Sequence, residues 1–191
     1  SIRKEEGKEL RKAFFYDDPD YEFLSFDYSQ IELRVMAALG NIKGLKEVCS
    51  MDEDIHKATA SKVFGVPVDD VSGEMRRKAK TVNFGIVYGI SAFGLAERLG
   101  CSRSDAKNFI EQFKKAFEGI DEYQNKEIQF AKENGYVVTV MNRRRYFPDI
   151  NSSQVMLRKF SESAANNASI QASEADHIKV AINKGYDVLK A

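Results

Sequence analysis

Two periodicities divide the chain. Residues 10–16 (LRKAFFY) and 21–27 (YEFLSFD) read as strands joined by an acidic turn that contains Pro19. From Gln30 the spacing becomes helical: Ile31, Val35, Ala38 and Leu39 share a face, and Gly40 stops the run. The segment DIHKATASKVFG opens on a capping Asp54 and closes at Gly65, which predicts a short helix. Residues 74–87 predict another, with Met75, Ala79, Val82 and Ile86 on its apolar side. Ser102 with Asp105 makes a capping-box-like start, after which Ala106, Phe109, Ile110, Phe113, Ala116 and Phe117 form a core stripe. A further helix over roughly 121–134 ends at Gly135. YVVTVMNRRRYFP reads as a β-hairpin turning near Asn142, a residue that tolerates positive φ. From about Gln154 to Ala191 the pattern is helical with no stop signal. The pattern predicts an α+β fold in which helix predominates.

Composition changes this picture little. With 43% hydrophobic and 30% charged residues, the chain can bury a core, and no run approaches the ~18 apolar residues of a membrane span. The start, SIRKEEGKELRKAFF, is charged where a signal peptide would be apolar. Cys49 and Cys101 lie far apart and in no metal-type spacing, which reads as two free thiols and a reducing intracellular compartment, such as a bacterial cytoplasm. Net charge is zero, but it is unevenly placed. Acidic residues cluster at Asp17, Asp18, Asp20 and Glu22 and at Asp52, Glu53 and Asp54; basic ones gather at Arg76, Arg77, Lys78 and Lys80 and at Arg143, Arg144 and Arg145. Such basic patches can hold phosphates inside a neutral whole, although a charge run is more often a solvated face.

Two constellations carry chemistry. Asp27 stands at the end of an expected strand, directly before a helix. A carboxylate held there suits Mg²⁺, although a lone Asp in that place more often caps the helix. Arg76, Lys80, Phe84 and Tyr88 recur at intervals of four. Each such step on an α-helix turns only ~40° and rises ~6 Å, so the four make one slanting stripe of two cations followed by two aromatics. A nucleoside triphosphate has the same order, anionic at one end and stackable at the other. An ordinary amphipathic helix whose aromatics pack in a core would show this spacing too.

The strings around these residues are more specific. DYSQIELR, Asp27 to Arg34, resembles the first signature of the family A (polymerase I-like) DNA polymerases, and RRKAKTVNFGIVYG is similar to the second, RxxxKxxxFGxxYG. The resemblance implies that Asp27, helped by the Tyr28 carbonyl, binds two Mg²⁺ ions. It implies that Gln30 contacts the nucleotide or primer, and that Glu32 packs on the sugar and rejects a 2′-hydroxyl. Arg76 and Lys80 would grip the triphosphate, with Lys80 placed to protonate the leaving pyrophosphate. Phe84 would lie against sugar and base, and Tyr88 would hold the template stacking position. Gly85 and Gly89 would permit close approach and bending. His56, within DIHKATASKVFGVP, stands where the family has a triphosphate-contacting histidine. GYVVTVMNRRRYFPDI resembles the family hairpin GYVxTxxGRRRYxPxI, so Arg143, Arg144 and Arg145 would meet the DNA backbone or order the fingers.

The next family block, RxxAERxAxNxPIQGxAADxxK, reads RKFSESAANNASIQASEADHIK here. Arg158, Asn167, Gln171, Asp176 and Lys179 match, and Asn167 and Gln171 would read minor-groove acceptors common to all base pairs. Ser163 replaces an arginine, Ser169 a proline and Ala172 a glycine, which bears on primer binding near this helix. The resemblance places a third, His-Asp-Glu motif past Ala191, so the chain on its own is expected to be inactive. The implied organisation is palm over 1–37, helical fingers over 38–152 with a hairpin near 136–148, and palm again over 153–191. The implied activity is template-directed addition of deoxynucleotides to a primer 3′ end. Its partners would be primer–template DNA and deoxynucleoside triphosphates, with no membrane and no obligate protein partner. Three alternatives stand beside it. A single-subunit RNA polymerase is disfavoured by Glu32. A non-catalytic nucleotide- or DNA-binding remnant remains open. A purely helical scaffold would explain the apolar stripes but not two adjacent motif matches.

Overall fold

The computed structural model describes residues 9, 13–15, 17–18, 20, 25–50 and 54–190. The elements are α1 (Ile31–Leu39), α2 (Lys43–Ser50), α3 (Ile55–Phe64), a 3₁₀ turn (Val68–Asp70), α4 (Gly73–Val87), α5 (Ala92–Leu99), α6 (Arg103–Ala116), α7 (Ile120–Asn134), β1 (Tyr136–Val138), β2 (Arg144–Tyr146) and α8 (Val155–Lys190). The helix starts follow the capping chemistry in the sequence. Asp54 accepts from the backbone N–H groups of His56 and Lys57, Ser72 from Met75 and Ser102 from Asp105. The hairpin pairs Tyr136 with Tyr146, Val137 with Arg145 and Val138 with Arg144. It turns through Asn142 at φ 58°.

Much of both strands expected over 10–16 and 21–27 lies outside the described residues. Those that are described there, including 25–27, are irregular. A ladder needs a partner, and among the described residues the only sheet is β1 with β2. The face expected on α1 is also rotated. Leu33, Met36 and Ala37 are its buried residues, while Leu39 is 37% exposed, because α1 packs on α2 and α8 from that side. Helices α2 and α5 are additions to the expected set. Among the described residues no helix is long and apolar enough to cross a membrane.

One apolar cluster joins α1 to α7: Met36, Leu45, Ile55, Leu95, Phe113 and Phe117 are all but sealed within it. The predicted stripe of α6 supplies its centre, and the Phe113 and Phe117 rings lie 4.9 Å apart. A smaller cluster of Ala131, Val137, Phe147, Ile150, Ala165 and Ala168 binds the hairpin and α7 to α8. Between the clusters, the Ser169 and Tyr123 hydroxyls lie 3.0 Å apart in buried surroundings. Ser169 is thus a link between α7 and α8 where the resembled family has proline. Burial pushes the Tyr123 phenol up to about 12.

Phe113 is fully buried and Phe160 is 74% exposed. In urea unfolding, Phe113→Ala should cost about 3–5 kcal/mol, and Phe160→Ala should stay within about 0.5 kcal/mol of the parent. Similar losses at both positions would contradict the core as described.

Candidate nucleotide-binding site

Helix α4 carries the stripe, and each of its residues has a distinct neighbour. Ala79, Val82, Asn83 and Ile86 are buried, which leaves Arg76, Lys80, Phe84 and Tyr88 on the other side. Arg76 donates to Asp54 Oδ2 through Nε at 2.7 Å and also through Nη2. Burial works against the Asp54 carboxylate, but the Arg76 hydrogen bond and those from the His56 and Lys57 backbone outweigh it and hold its pKa below the usual range. Lys80 is exposed and has no hydrogen-bond or ion-pair partner among the described residues. Its charge reaches His56. The rings of Phe84 and His56 have centroids 5.8 Å apart. The Tyr88 hydroxyl donates to Glu32 Oε1. Burial, together with the hydrogen bond to Glu32 and its charge, raises the Tyr88 phenol, against a hydrogen bond from Gln171.

The turn after α4 explains both glycines. A Cβ on Gly85 would meet Ile90 Cγ2 at 2.7 Å. Gly89 sits at φ 62°, where a Cβ would also meet Ser163 Oγ at 3.2 Å. Here α8 closes on the helix end: Ser163 Oγ and Asn167 Nδ2 each donate to the Tyr88 carbonyl at 3.3 Å. Ser163, a departure from the family pattern, is therefore used to hold Tyr88.

Asp27 is exposed in the irregular segment before α1. Gln30 precedes that helix at φ 54° and makes no capping bond with its side chain. Tyr28 packs edge-on against His177 of α8, with ring centroids 5.0 Å apart. Glu174, one turn past Gln171 on α8, lies within electrostatic reach of Glu32 and Asp27. Burial and the charges of Glu32 and Asp27 raise its pKa. The sequence reading did not single it out, although an alanine position of the resembled block holds glutamate here. Among the described residues no three His, Cys, Asp or Glu side chains converge to hold a metal ion. The donors at Asp27 and the Tyr28 carbonyl are hard oxygens of the kind Mg²⁺ takes. The charges of Glu32 and Asp27 act on Glu174, a repulsion that a divalent cation would relieve.

The three hairpin arginines separate. Arg143 turns inward: its Nε donates to Asp176 Oδ1, and its Nη2 donates to the Ala172 carbonyl at 3.0 Å. Burial opposes the Asp176 charge, but hydrogen bonds from Thr139 and Arg143 prevail and lower its pKa. Arg144 lies over the Tyr136 ring and Arg145 over Phe147, both with exposed heads. Arg145, Phe160, Ser163, Ala164, Asn167 and Gln171 line an open groove of about 230 Å³. Three of the residues expected to meet DNA thus share one surface, and Arg143 holds the hairpin to α8 from behind. Sequence gave no sign of this inward turn, because Asp176 lies far along the chain.

The chain matches DNA polymerase family A across residues 1–191. It is 47% identical over 181 residues to DNA polymerase I of Bacillus subtilis (strain 168), covering 95% of this chain and 21% of that protein. It is 48% identical over 181 residues to DNA polymerase I of Geobacillus stearothermophilus, with the same coverage. The chain therefore spans about a fifth of the length of these curated relatives. Among solved structures, the POL domain of Pol1 from M. smegmatis, in complex with DNA primer-template and dNTP, superposes with a TM-score of 0.92 at 42% identity. It covers 100% of this chain and 34% of that one.

His56 is 3% exposed, and burial is the main cause that holds its pKa down at about 4. Below the unfolded value of about 6.5 the unfolded chain binds a proton that the folded chain refuses, so stability falls as pH drops toward 4. The loss should be on the order of 3 kcal/mol. Denaturant melts from pH 7 to pH 4 should show this slope, and His56→Gln should flatten it. An unchanged slope in that variant would assign the acid sensitivity elsewhere.

Proposed function

Because the chain belongs to DNA polymerase family A, we propose that it forms the nucleotide-binding part of an enzyme that extends the 3′ end of a DNA primer on a template, using deoxynucleoside triphosphates. The observation that carries this reading is the α4 stripe. Lys80 has no ion-pair partner among the described residues, Arg76 and His56 stand beside it, and Tyr88 at the far end is tied to Glu32. In this reading residues 1–37 and 153–191 belong to the palm and 38–152 to the fingers, as the motif order suggests. The primer–template would lie along the groove of Arg145, Asn167 and Gln171. The POL domain it resembles was solved with DNA primer-template and dNTP, which supports both partners.

The residues divide the work by charge and shape. Arg76 spends Nε and Nη2 on Asp54, which fixes the guanidinium and leaves Nη1 for a phosphate oxygen. Lys80 is free to follow the charge that grows on the leaving pyrophosphate and to supply its proton. Phe84 offers a ring to sugar and base. Glu32, anchored by the Tyr88 hydroxyl, forms a wall that a ribose 2′-hydroxyl would strike or pull away from its partner. Mg²⁺ held at Asp27 and the Tyr28 carbonyl would supply Lewis-acid stabilisation of the phosphoryl oxygens.

Two substitutions test this in the full-length protein. Lys80→Ala should lose about 2–4 kcal/mol of transition-state stabilisation, read as kcat/KM for single-nucleotide incorporation, with no comparable loss of melting temperature. A silent Lys80→Ala would leave the stripe an ordinary solvated face. Glu32→Ala should raise the ratio of ribonucleotide to deoxyribonucleotide incorporation while deoxyribonucleotide use continues. An unchanged ratio in single-turnover assays would reject the sugar-gate role. Nucleotide binding with no incorporation by the unsubstituted protein would favour a non-catalytic remnant.

A further inference from the structure

Asn83 is a buried polar residue of α4 that the nucleotide reading leaves without a task. It is 0% exposed and faces α3 rather than the stripe. Its Nδ2 lies 2.9 Å from His56 Nδ1 and 3.3 Å from Thr59 Oγ1, and its Oδ1 has no hydrogen-bond partner among the described residues.

The protons in this triad follow from valence. The Thr59 hydroxyl donates to the Ile55 carbonyl at 2.6 Å, so its one proton is spent and it can only accept from Asn83. An acceptor at that place requires the amide nitrogen, not the oxygen, to face it. The same nitrogen faces His56 Nδ1, which must then present a lone pair. The imidazole proton is left on Nε2. A proton on Nδ1 would set N–H against N–H in a buried site.

We infer that Asn83 is a positioning residue: its amide fixes His56 as a neutral imidazole with the proton on Nε2, so that His56 offers one directed N–H donor to an anionic ligand beside Arg76 and Lys80. That this ligand is a triphosphate rests on the function proposed above; the tautomer does not.

The surroundings act in the same direction. Asp54, at the cap of the same helix, favours the imidazolium; burial, Lys80 and Arg76 oppose it and prevail. Phe84 contributes only a ring. Among the described residues, no charged group of α2, α6 or the 3₁₀ turn, which also pack on α3, acts on this histidine. His56 also stands in the first turn of α3, where the helix dipole disfavours a cation. A neutral donor holds a phosphate oxygen without adding a third full charge next to two cations, and its charge does not change between pH 6 and 8.

The test is nitrogen NMR on protein labelled with ¹⁵N-histidine. The chain has two histidines, His56 and His177, and His56→Gln assigns the spectrum. The unsubstituted protein should show, from pH 6 to 8, an unprotonated Nδ1 and a protonated Nε2 at His56. Asn83→Asp is nearly isosteric and turns an acceptor toward Nδ1. His56 should then carry protons on both nitrogens at pH 7, and its titration should move into the neutral range. A role in packing alone would leave the tautomer unaltered. The inference is overturned by an Nδ1–H form or a tautomer mixture in the unsubstituted protein at pH 7, a result that needs no variant to fold. It is equally overturned by a folded Asn83→Asp that keeps the parent pattern. Titration with dATP and Mg²⁺ then tests the ligand separately. A shift at His56 Nε2 and a several-fold weaker dATP affinity in Asn83→Ala, the scale of one hydrogen bond, support the triphosphate as ligand. An unmoved Nε2 beside the expected tautomer counts against the triphosphate reading alone.

Discussion

The hydroxyl of Tyr88 donates to the carboxylate of Glu32, and this contact ties the end of α4 to the helix that follows Asp27. The Tyr88 carbonyl meanwhile receives hydrogen bonds from Ser163 and Asn167 of α8. One residue thus joins α1, α4 and α8, each of which bears residues proposed above to meet nucleotide or DNA. Because α4 is held at this end, and along its buried side by α3, its stripe of Arg76, Lys80 and Phe84 has a defined direction. A free amphipathic helix would have the same residues with no fixed relation to Asp27.

Charge runs along that direction. Arg76 and Lys80 stand near the start of α4, while Asp27, Glu32 and Glu174 gather near its end. A polyanion fits the first region and a divalent cation the second. Glu174 sharpens the contrast: burial and the charges of Glu32 and Asp27 raise its pKa. The neutral His56 keeps the cationic end at two full charges and adds a directed donor instead.

The departures from the family pattern have separate physical outcomes. Ser163 and Ser169 became hydrogen-bonded joints, the first to the Tyr88 carbonyl and the second to Tyr123. The carbonyl of Ala172 accepts from Arg143, which makes this turn of α8 part of the hairpin's anchor. These bonds fasten α8 to α4, α7 and the hairpin, on the helix that also carries Gln171.

What the sequence determined by itself is local. Helix starts at Asp54, Ser72 and Ser102 follow from side chains that reach a backbone N–H two or three residues on, and the stripe of α4 follows from helical pitch alone. The motif strings at Asp27 and Arg76 identified the family for the same reason: each is contiguous. Tertiary structure decided whatever depends on residues distant in the chain. It rotated the buried face of α1 toward α2 and α8 and turned Arg143 inward onto Asp176. It set Asp54 against Arg76, brought Glu174 beside Glu32, and placed Asn83 where its amide meets both Thr59 and His56. An arginine in a basic run looks the same in sequence whether it meets solvent or a buried carboxylate. The difference is a contact that exists only once the chain has folded.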